Sequence, residues 1–278
     1  MREKLKSGLL QTVLKGMFVG GTMLVPGVSG GSMAMILGIY DKLIKSVSSF
    51  RKKIKDNLLF LIIFAVGGFT GMLLFAKPID YLIRMFTKPM LYFFTGAVMG
   101  GIPMIYKKAG IERISVRIIC YLLGGAMVVT LLSMIPAGGY VGMDGFTGLV
   151  SLMLAGIVAA VALVLPGISV SYMFLVLGIY DRVIGSIKEF DLSVLLPLGI
   201  GGLLGIALTT KLLDIAMSRF PGASYMIILG FILGSVAEIF PGRPDGIGWL
   251  ICPLMFMGGW FIIRVISSQE SEAKFERN

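Results

Sequence analysis

Apolar and polar positions alternate along this chain in long blocks. Leu58–Ala76 holds 19 residues without a charge, enough for one helix to cross a hydrocarbon core of about 30 Å. Segments 90–106, 118–135, 192–210, 225–240 and 249–266 are likewise apolar, the last two with a single charge each, Glu238 and Arg264, and predict five more spanning helices. Between them, 77–89 and 211–221 mix charges with apolar residues and predict short interfacial or cavity-lining helices.

Two further apolar stretches, 12–46 and 149–184, are broken in the middle. In the first, Thr12–Val25 runs into Pro26-Gly27, with Gly30-Gly31 close behind. Proline removes a backbone donor, and glycine makes helix costly. Each flanking arm is roughly 20 Å long as a helix, too short to cross. The expected shape is a re-entrant hairpin, two half-helices joined at membrane depth. Such a break is tolerated in a bilayer only where it is packed in protein or lines a wet cavity.

The broken stretches are copies of each other. Pro26–Ser46 and Pro166–Ser186, offset by 140, share 11 of 21 residues, including Pro-Gly-x-Ser and Leu-Gly-Ile-Tyr-Asp in register. At an offset of 134 the repeat continues. Gly67-Gly68-x-x-Gly71 meets Gly201-Gly202-x-x-Gly205, and Lys77-x-x-Asp80 meets Lys211-x-x-Asp214. Phe86 meets Phe220, Gly96-x-x-x-Gly100 meets Gly230-x-x-x-Gly234, and Gly124-Gly125 meets Gly258-Gly259. Glycines at this spacing share one helix face and allow close crossings, so they read as packing.

The fold class that follows is an all-α polytopic membrane protein of two repeats, 1–136 and 149–266. Each repeat is a hairpin plus three crossings, and 267–278 forms a polar, disordered cytoplasmic tail. Three crossings is an odd number, so the second repeat enters the membrane inverted. Charge agrees. Arg2, Lys4, Lys6 and Lys15 stand at the entry to the first hairpin, and Lys42, Lys45, Arg51, Lys52, Lys53 and Lys55 at its exit, as cytoplasmic flanks should. The loop 136–148 holds Asp144 and no basic residue, which places it outside. Both termini are expected in the cytoplasm, with the halves related by a two-fold axis in the membrane plane.

The chain of 278 residues is 56% hydrophobic and 14% charged, with a mean hydropathy of +0.93, far from a soluble domain. Its net charge of +10 sits in loops between apolar runs. It speaks for membrane orientation and anionic lipid, not nucleic acid. There is no histidine, which excludes imidazole general bases and histidine metal ligands. Cys120 and Cys252 lie in apolar runs without metal spacing. No cofactor is expected. Without histidine or a clustered acidic set, a membrane enzyme such as a lipid phosphatase is disfavoured. No small-residue cleavage pattern follows the first apolar run, so no cleavable signal is expected.

Paired broken helices point to a transporter's binding centre. At the tips, Ser29, Gly30, Gly31 and Ser32 offer backbone N–H groups and hydroxyls to an anion, as do Ser169 and Ser171; the alternative is a glycine-rich kink for packing. Lys77 and Lys211 are placed to lead an anion inward, with Asp80 and Asp214 three residues on orienting them. The alternative is lysines snorkelling at helix ends. A carboxylate for proton or sodium coupling must come from Asp41, Asp80, Asp181, Asp214 or Glu238. Asp41 and Asp181 could equally serve as local caps, or as partners of Lys42 and Arg182.

The stretches PGVSGGSMAMILGIYD and LPGISVSYMFLVLGIYD resemble the signature of the PopT-type polyprenyl-phosphate transporters, a bacterial family long catalogued as a membrane domain of unknown function. The resemblance spans nearly the whole chain. It implies a flippase returning undecaprenyl phosphate, the lipid carrier of cell-wall synthesis, across the cytoplasmic membrane. The residues alone reach only an anion-handling transporter, and a small-anion transporter or channel stays open. Gly30-Gly31-Ser32 stands where the second copy has Val170-Ser171-Tyr172. The two tips therefore cannot be equivalent phosphate cradles, and the glycine-rich first is the better one.

Overall fold

The computed structural model describes residues 2–25, 28–111, 113, 115–136 and 145–275. The described residues form twelve α-helices and no strand. In chain order they are α1 (Arg2–Thr22), α2 (Gly30–Ile36), α3 (Tyr40–Ser48), α4 (Ile54–Met85), α5 (Thr87–Ala109) and α6 (Val116–Ser133). Then follow α7 (Gly145–Val164), α8 (Val170–Val176), α9 (Tyr180–Glu189), α10 (Leu192–Arg219), α11 (Pro221–Ile239) and α12 (Gly248–Phe275). Pro26, Gly27 and Asp144 lie outside the described residues.

Among the described residues six helices are long and apolar enough to cross a membrane: α4, α5, α6, α7, α10 and α12. Five coincide with predicted crossings. The sixth is α7, expected as a half-helix but apolar over 18 residues, about 27 Å. The predicted crossing 225–240 lies in α11, whose described apolar length is shorter.

Three boundaries correct the sequence reading. The expected segments 77–89 and 211–221 are not separate helices, because α4 and α10 run unbroken through Lys77 and Lys211. Their 32 and 28 residues span about 48 and 42 Å. An Arg84–Asp80 pair one turn apart, Nε to oxygen 2.9 Å, supports the extended end of α4. Pro78 does not break that helix. The tail is helical as far as Phe275, since its glutamates, lysine and alanine are good helix formers and no glycine or proline interrupts them. The first arm of the first hairpin is also longer than expected. α1 starts at Arg2 and has 21 residues.

The outgoing arms are shorter than expected, because each bends a second time at Leu-Gly-Ile-Tyr. Gly38 and Gly178 hold φ of 69° and 67°, a left-handed conformation that favours glycine. Ile39 N–H reaches Ala34 C=O, and Gly38 N–H reaches Met35 C=O, both at 3.0 Å. The second copy repeats both bonds, Ile179 to Phe174 and Gly178 to Leu175, at 3.0 Å. This is the Schellman ending of a helix. It leaves α2 and α8 only seven residues each and turns α9 by 115° from α8.

The long helices pack in four close pairs: α1 with α4, α7 with α10, α5 with α12 and α6 with α11. Repeated glycines line each seam. A Cβ on Gly71 would fall on the carbonyl of Met17, and one on Gly201 on that of Met153. Gly96 and Gly259 do the same for the α5–α12 seam, against Phe256 and Phe93. Gly230 and Gly125 do so for α6–α11, against Leu122 and Ile227. The packing role expected of these glycines is met. At the centre lies α2, with Met33, Met35 and Ile36 fully buried against a core that includes Phe94, Ile105, Ile228 and Ile232.

Candidate functional site: the joined hairpin tips

The two broken segments meet. Ser29 stands before α2 in extended backbone (φ −83°, ψ 135°). Its Oγ accepts from its own Ser32 N–H at 3.2 Å, and from Gly167 N–H of the other hairpin at 3.2 Å. One hydroxyl thus caps a helix and ties the tips together. Gly31 closes the same contact, since a Cβ there would stand 3.2 Å from Pro166 Cα. Ser169 repeats the cap, accepting from Tyr172 N–H at 3.3 Å, but has no tie to the first tip among the described residues.

The tips differ in setting. Ser32 is buried, and its Oγ has no hydrogen-bond partner among the described residues. A buried hydroxyl left unpaired carries a desolvation cost, so an acceptor or donor brought to it would bind there. Gly30 and Gly31 are half-buried, while Ser169 and Ser171 are exposed. The two tips thus differ in burial. The partner residue Tyr172, at the position of Ser32, sends its hydroxyl to the carbonyls of Ser133 (2.8 Å) and Ile135 (2.9 Å), at the end of α6.

Asp41 is not bridged to Lys42. Adjacent helical residues do not share a face. Lys42 lies over the Phe60 ring, 4.1 Å from its centroid, while Lys108 of α5 donates to Asp41 Oδ2 at 2.8 Å. Burial, and then the charge of Lys15, lower the Lys42 ammonium from its ordinary pKa. Asp41 Oδ1 is buried with no hydrogen-bond partner among the described residues, and Tyr225 of α11 stands near the same carboxylate. Lys15 donates to Leu37 C=O at 2.8 Å, closing the end of α2. Asp181, the counterpart of Asp41, is exposed.

Lys77 and Lys211 are exposed on α4 and α10, and their aspartates do not orient them. Both oxygens of Asp80 accept from Arg84 Nε at 2.9 Å. Asp214 accepts from Ser48 Oγ at 2.7 Å. The planar guanidinium one turn away fits a carboxylate better than a flexible ammonium three residues back. The side chain of Glu238 lies outside the description.

Sequence reasoning missed Tyr40, whose buried hydroxyl donates to Val164 C=O at 2.8 Å. Its signal was the repeated Leu-Gly-Ile-Tyr-Asp, read only for its aspartate. Lys108 and Gly167 were missed too, and their contacts, 67 and 138 residues away in sequence, had no local signal.

Helices of membrane-crossing length, glycine-lined seams and two joined broken segments define a multi-pass membrane protein built around an interrupted-helix centre. The family follows from the sequence. Residues 19–246 match the VCA0040-like, undecaprenyl phosphate translocase-like family, and the chain belongs to it. It is 28% identical over 256 residues to a polyprenyl-phosphate transporter of Vibrio cholerae serotype O1, covering 87% of this chain and 80% of that one. It is 30% identical over 263 residues to a polyprenyl-phosphate transporter of Staphylococcus aureus, covering 90% and 93%. No solved structure matches it. The chain is a bacterial multi-pass membrane protein.

Proposed function

We propose that this protein flips undecaprenyl phosphate across the cytoplasmic membrane, returning the carrier for another round of cell-wall synthesis. The headgroup passes between the two hairpin tips while the prenyl chain stays in lipid. The two halves are inverted repeats, and the pairing of helices supports this. Exchanging the halves turns α1–α4 into α7–α10, and α5–α12 into α11–α6, and all four pairs are close.

The observation that carries the reading is the junction at Ser29 and Gly167, with a buried unpaired hydroxyl on one side and exposed serines on the other. A phosphate leaving water needs replacement donors, because burial without them costs many kcal/mol. Ser29, Gly30, Gly31, Ser32, Ser169 and Ser171 supply them without a fixed charge that would hold the substrate too tightly. Ser169 and Ser171 share α8 and its cap with exposed Leu175. A polar tip beside an apolar surface favours a headgroup arriving from the bilayer over a small anion in an aqueous pore. Lys77 and Lys211 gather the anion at the membrane surface. Asp41, with its unpartnered oxygen, is the carboxylate assigned to proton or sodium coupling. The reading assigns no catalytic step.

Purified protein in proteoliposomes tests it. Fluorescent polyprenyl phosphate should change leaflet faster than in protein-free vesicles, and a proton or sodium gradient should bias the direction. Lys77→Gln and Lys211→Gln should each slow the flipping. Unchanged rates in both, at normal expression, return these lysines to snorkelling. Transport of inorganic phosphate without lipid flipping would replace the reading by the small-anion one.

A further inference from the structure

The first hairpin is anchored in ways the second is not. α3 lies on α10, with Ser48 Oγ donating to Asp214 Oδ2 at 2.7 Å. The repeat gives this contact a counterpart. Offsets of 140 and 134 carry Ser48 to Lys188 and Asp214 to Asp80. The counterpart is open, for α9 makes no comparable packing with α4. Lys188 is exposed and has no ion pair among the described residues. Asp80 is turned to Arg84 instead. Tyr40 bonds to Val164 C=O, whereas Tyr180, its copy, has no hydrogen bond among the described residues. α2 is buried, whereas Ser171 and Leu175 of α8 are exposed.

We infer that the structure holds one of two exchangeable states, closed where α3 rests on α10 and open where α9 faces α4, and that a Lys188–Asp80 ion pair latches the other. This rests on the inverted-repeat reading proposed above. In the second state Asp80 leaves Arg84 and accepts from Lys188 Nζ, α9 lies on α4 and α8 is covered, while Ser48 releases Asp214. The exchange of partner is cheap, because an exposed pair one helical turn apart is weak. The latches are chemically unlike. A hydroxyl-to-carboxylate bond stands in one state and an ion pair in the other, but Asp80 trades one exposed pair, with Arg84, for another, with Lys188, so screening affects both states and added salt shifts the balance little.

Cross-linking of the full-length protein in membranes, in a Cys120→Ser, Cys252→Ala background, tests this. Asp80→Cys with Lys188→Cys, and Ser48→Cys with Asp214→Cys, are bridged as disulfides by mild oxidation, which leaves the unpaired cysteine at 171 free. Ser171→Cys reports exposure to a small soluble thiol reagent. Both pairs should cross-link. Bridging 80 to 188 should slow labelling at 171 by tenfold or more, and bridging 48 to 214 should leave it fast. Failure of the 80–188 bridge where the 48–214 bridge forms overturns the inference, as does a bridge that leaves labelling unchanged. Charge variants give a second test without cross-linking. Lys188→Asp alone should raise labelling at 171 and Asp80→Lys added to it should restore the parent rate; no change in the single variant also overturns it. None of these readouts needs substrate. A protein that passes them yet flips no polyprenyl phosphate refutes the proposed function and leaves the latch standing.

Discussion

Ser29→Ala removes one oxygen that serves two backbone donors. The first loss is a helix cap, Ser32 N–H to Ser29 Oγ, about 1 kcal/mol. The second is the tie to Gly167 N–H. Gly167 is buried, so its amide is left without a partner or water, at about 1–3 kcal/mol. Together these give about 2–4 kcal/mol. Ser169→Ala is the matched control at the equivalent position. It removes a cap of the same kind at an exposed residue where water replaces it, for about 1 kcal/mol or less. Equilibrium unfolding in mixed micelles with rising SDS, followed by circular dichroism, compares the pair. A gap near 2 kcal/mol is roughly a thirtyfold difference in the unfolding constant. Ser29→Thr, which keeps the hydroxyl, should recover most of the loss. Equal losses in the two alanine variants, or under about 0.5 kcal/mol at Ser29, would refute the tie.

Gly167 has φ of +87° and would press a Cβ onto the carbonyl of Phe231. Gly167→Ala should therefore lower the unfolding free energy by over about 2 kcal/mol, counting left-handed strain alone at about 1–2, in the same SDS titration. Each repeated Gly-Gly pair should split. Gly124 and Gly258 face open space, whereas Gly125 and Gly259 meet backbone. Gly124→Ala and Gly258→Ala should raise thermal stability slightly, by about 0.5–1 kcal/mol of helix propensity, and Gly125→Ala and Gly259→Ala should lower it. Lys108→Met strands the Asp41 carboxylate, whose side chain is 26% exposed. The loss should be about 3 kcal/mol or less, as for a partly buried pair, and Asp41→Asn added to it should recover part in a double-mutant cycle.

The seams were legible because glycine spacing encodes where one backbone approaches another, and the repeat showed it twice. The breaks at the tips were legible because proline and glycine clusters interrupt an apolar run. The elbows at Gly38 and Gly178 were not read, since Leu-Gly-Ile-Tyr stays apolar and leaves the hydrophobic pattern unbroken. Their signal lay in a lone glycine followed by isoleucine, the ending that a Schellman turn uses. The ends of α4 and α10 were lost for the opposite reason. Charges entered the sequence at Lys77 and Lys211, with Pro78 beside the first, and composition changed although the helix runs on. Lys42 was weighed as a partner for Asp41 because neighbours in sequence are what a sequence displays, whereas Lys108 arrives from another helix.

A duplicated sequence assigns the same contacts to both copies, and here the copies differ most at the two hairpins. The helical seams keep the repeat because their chemistry is mostly glycine against backbone in both halves. Ser48 and Lys188 are copies with different functional groups, as are Ser32 and Tyr172. Ser32 leaves its hydroxyl without a partner among the described residues, while Tyr172 reaches out to the end of α6. These substitutions make the hairpins unequal in energy as well as in position. A chain with two identical hairpins would hold its two states at equal free energy by symmetry; this one does not, and the imbalance selects which hairpin is buried at rest. Exchanging the residues at the two positions, Ser48→Lys with Lys188→Ser, should therefore move the resting state toward a covered α8. The rate at which a soluble thiol reagent labels Ser171→Cys would report it, falling in the exchanged protein, and an unchanged rate would mean that the balance is set elsewhere.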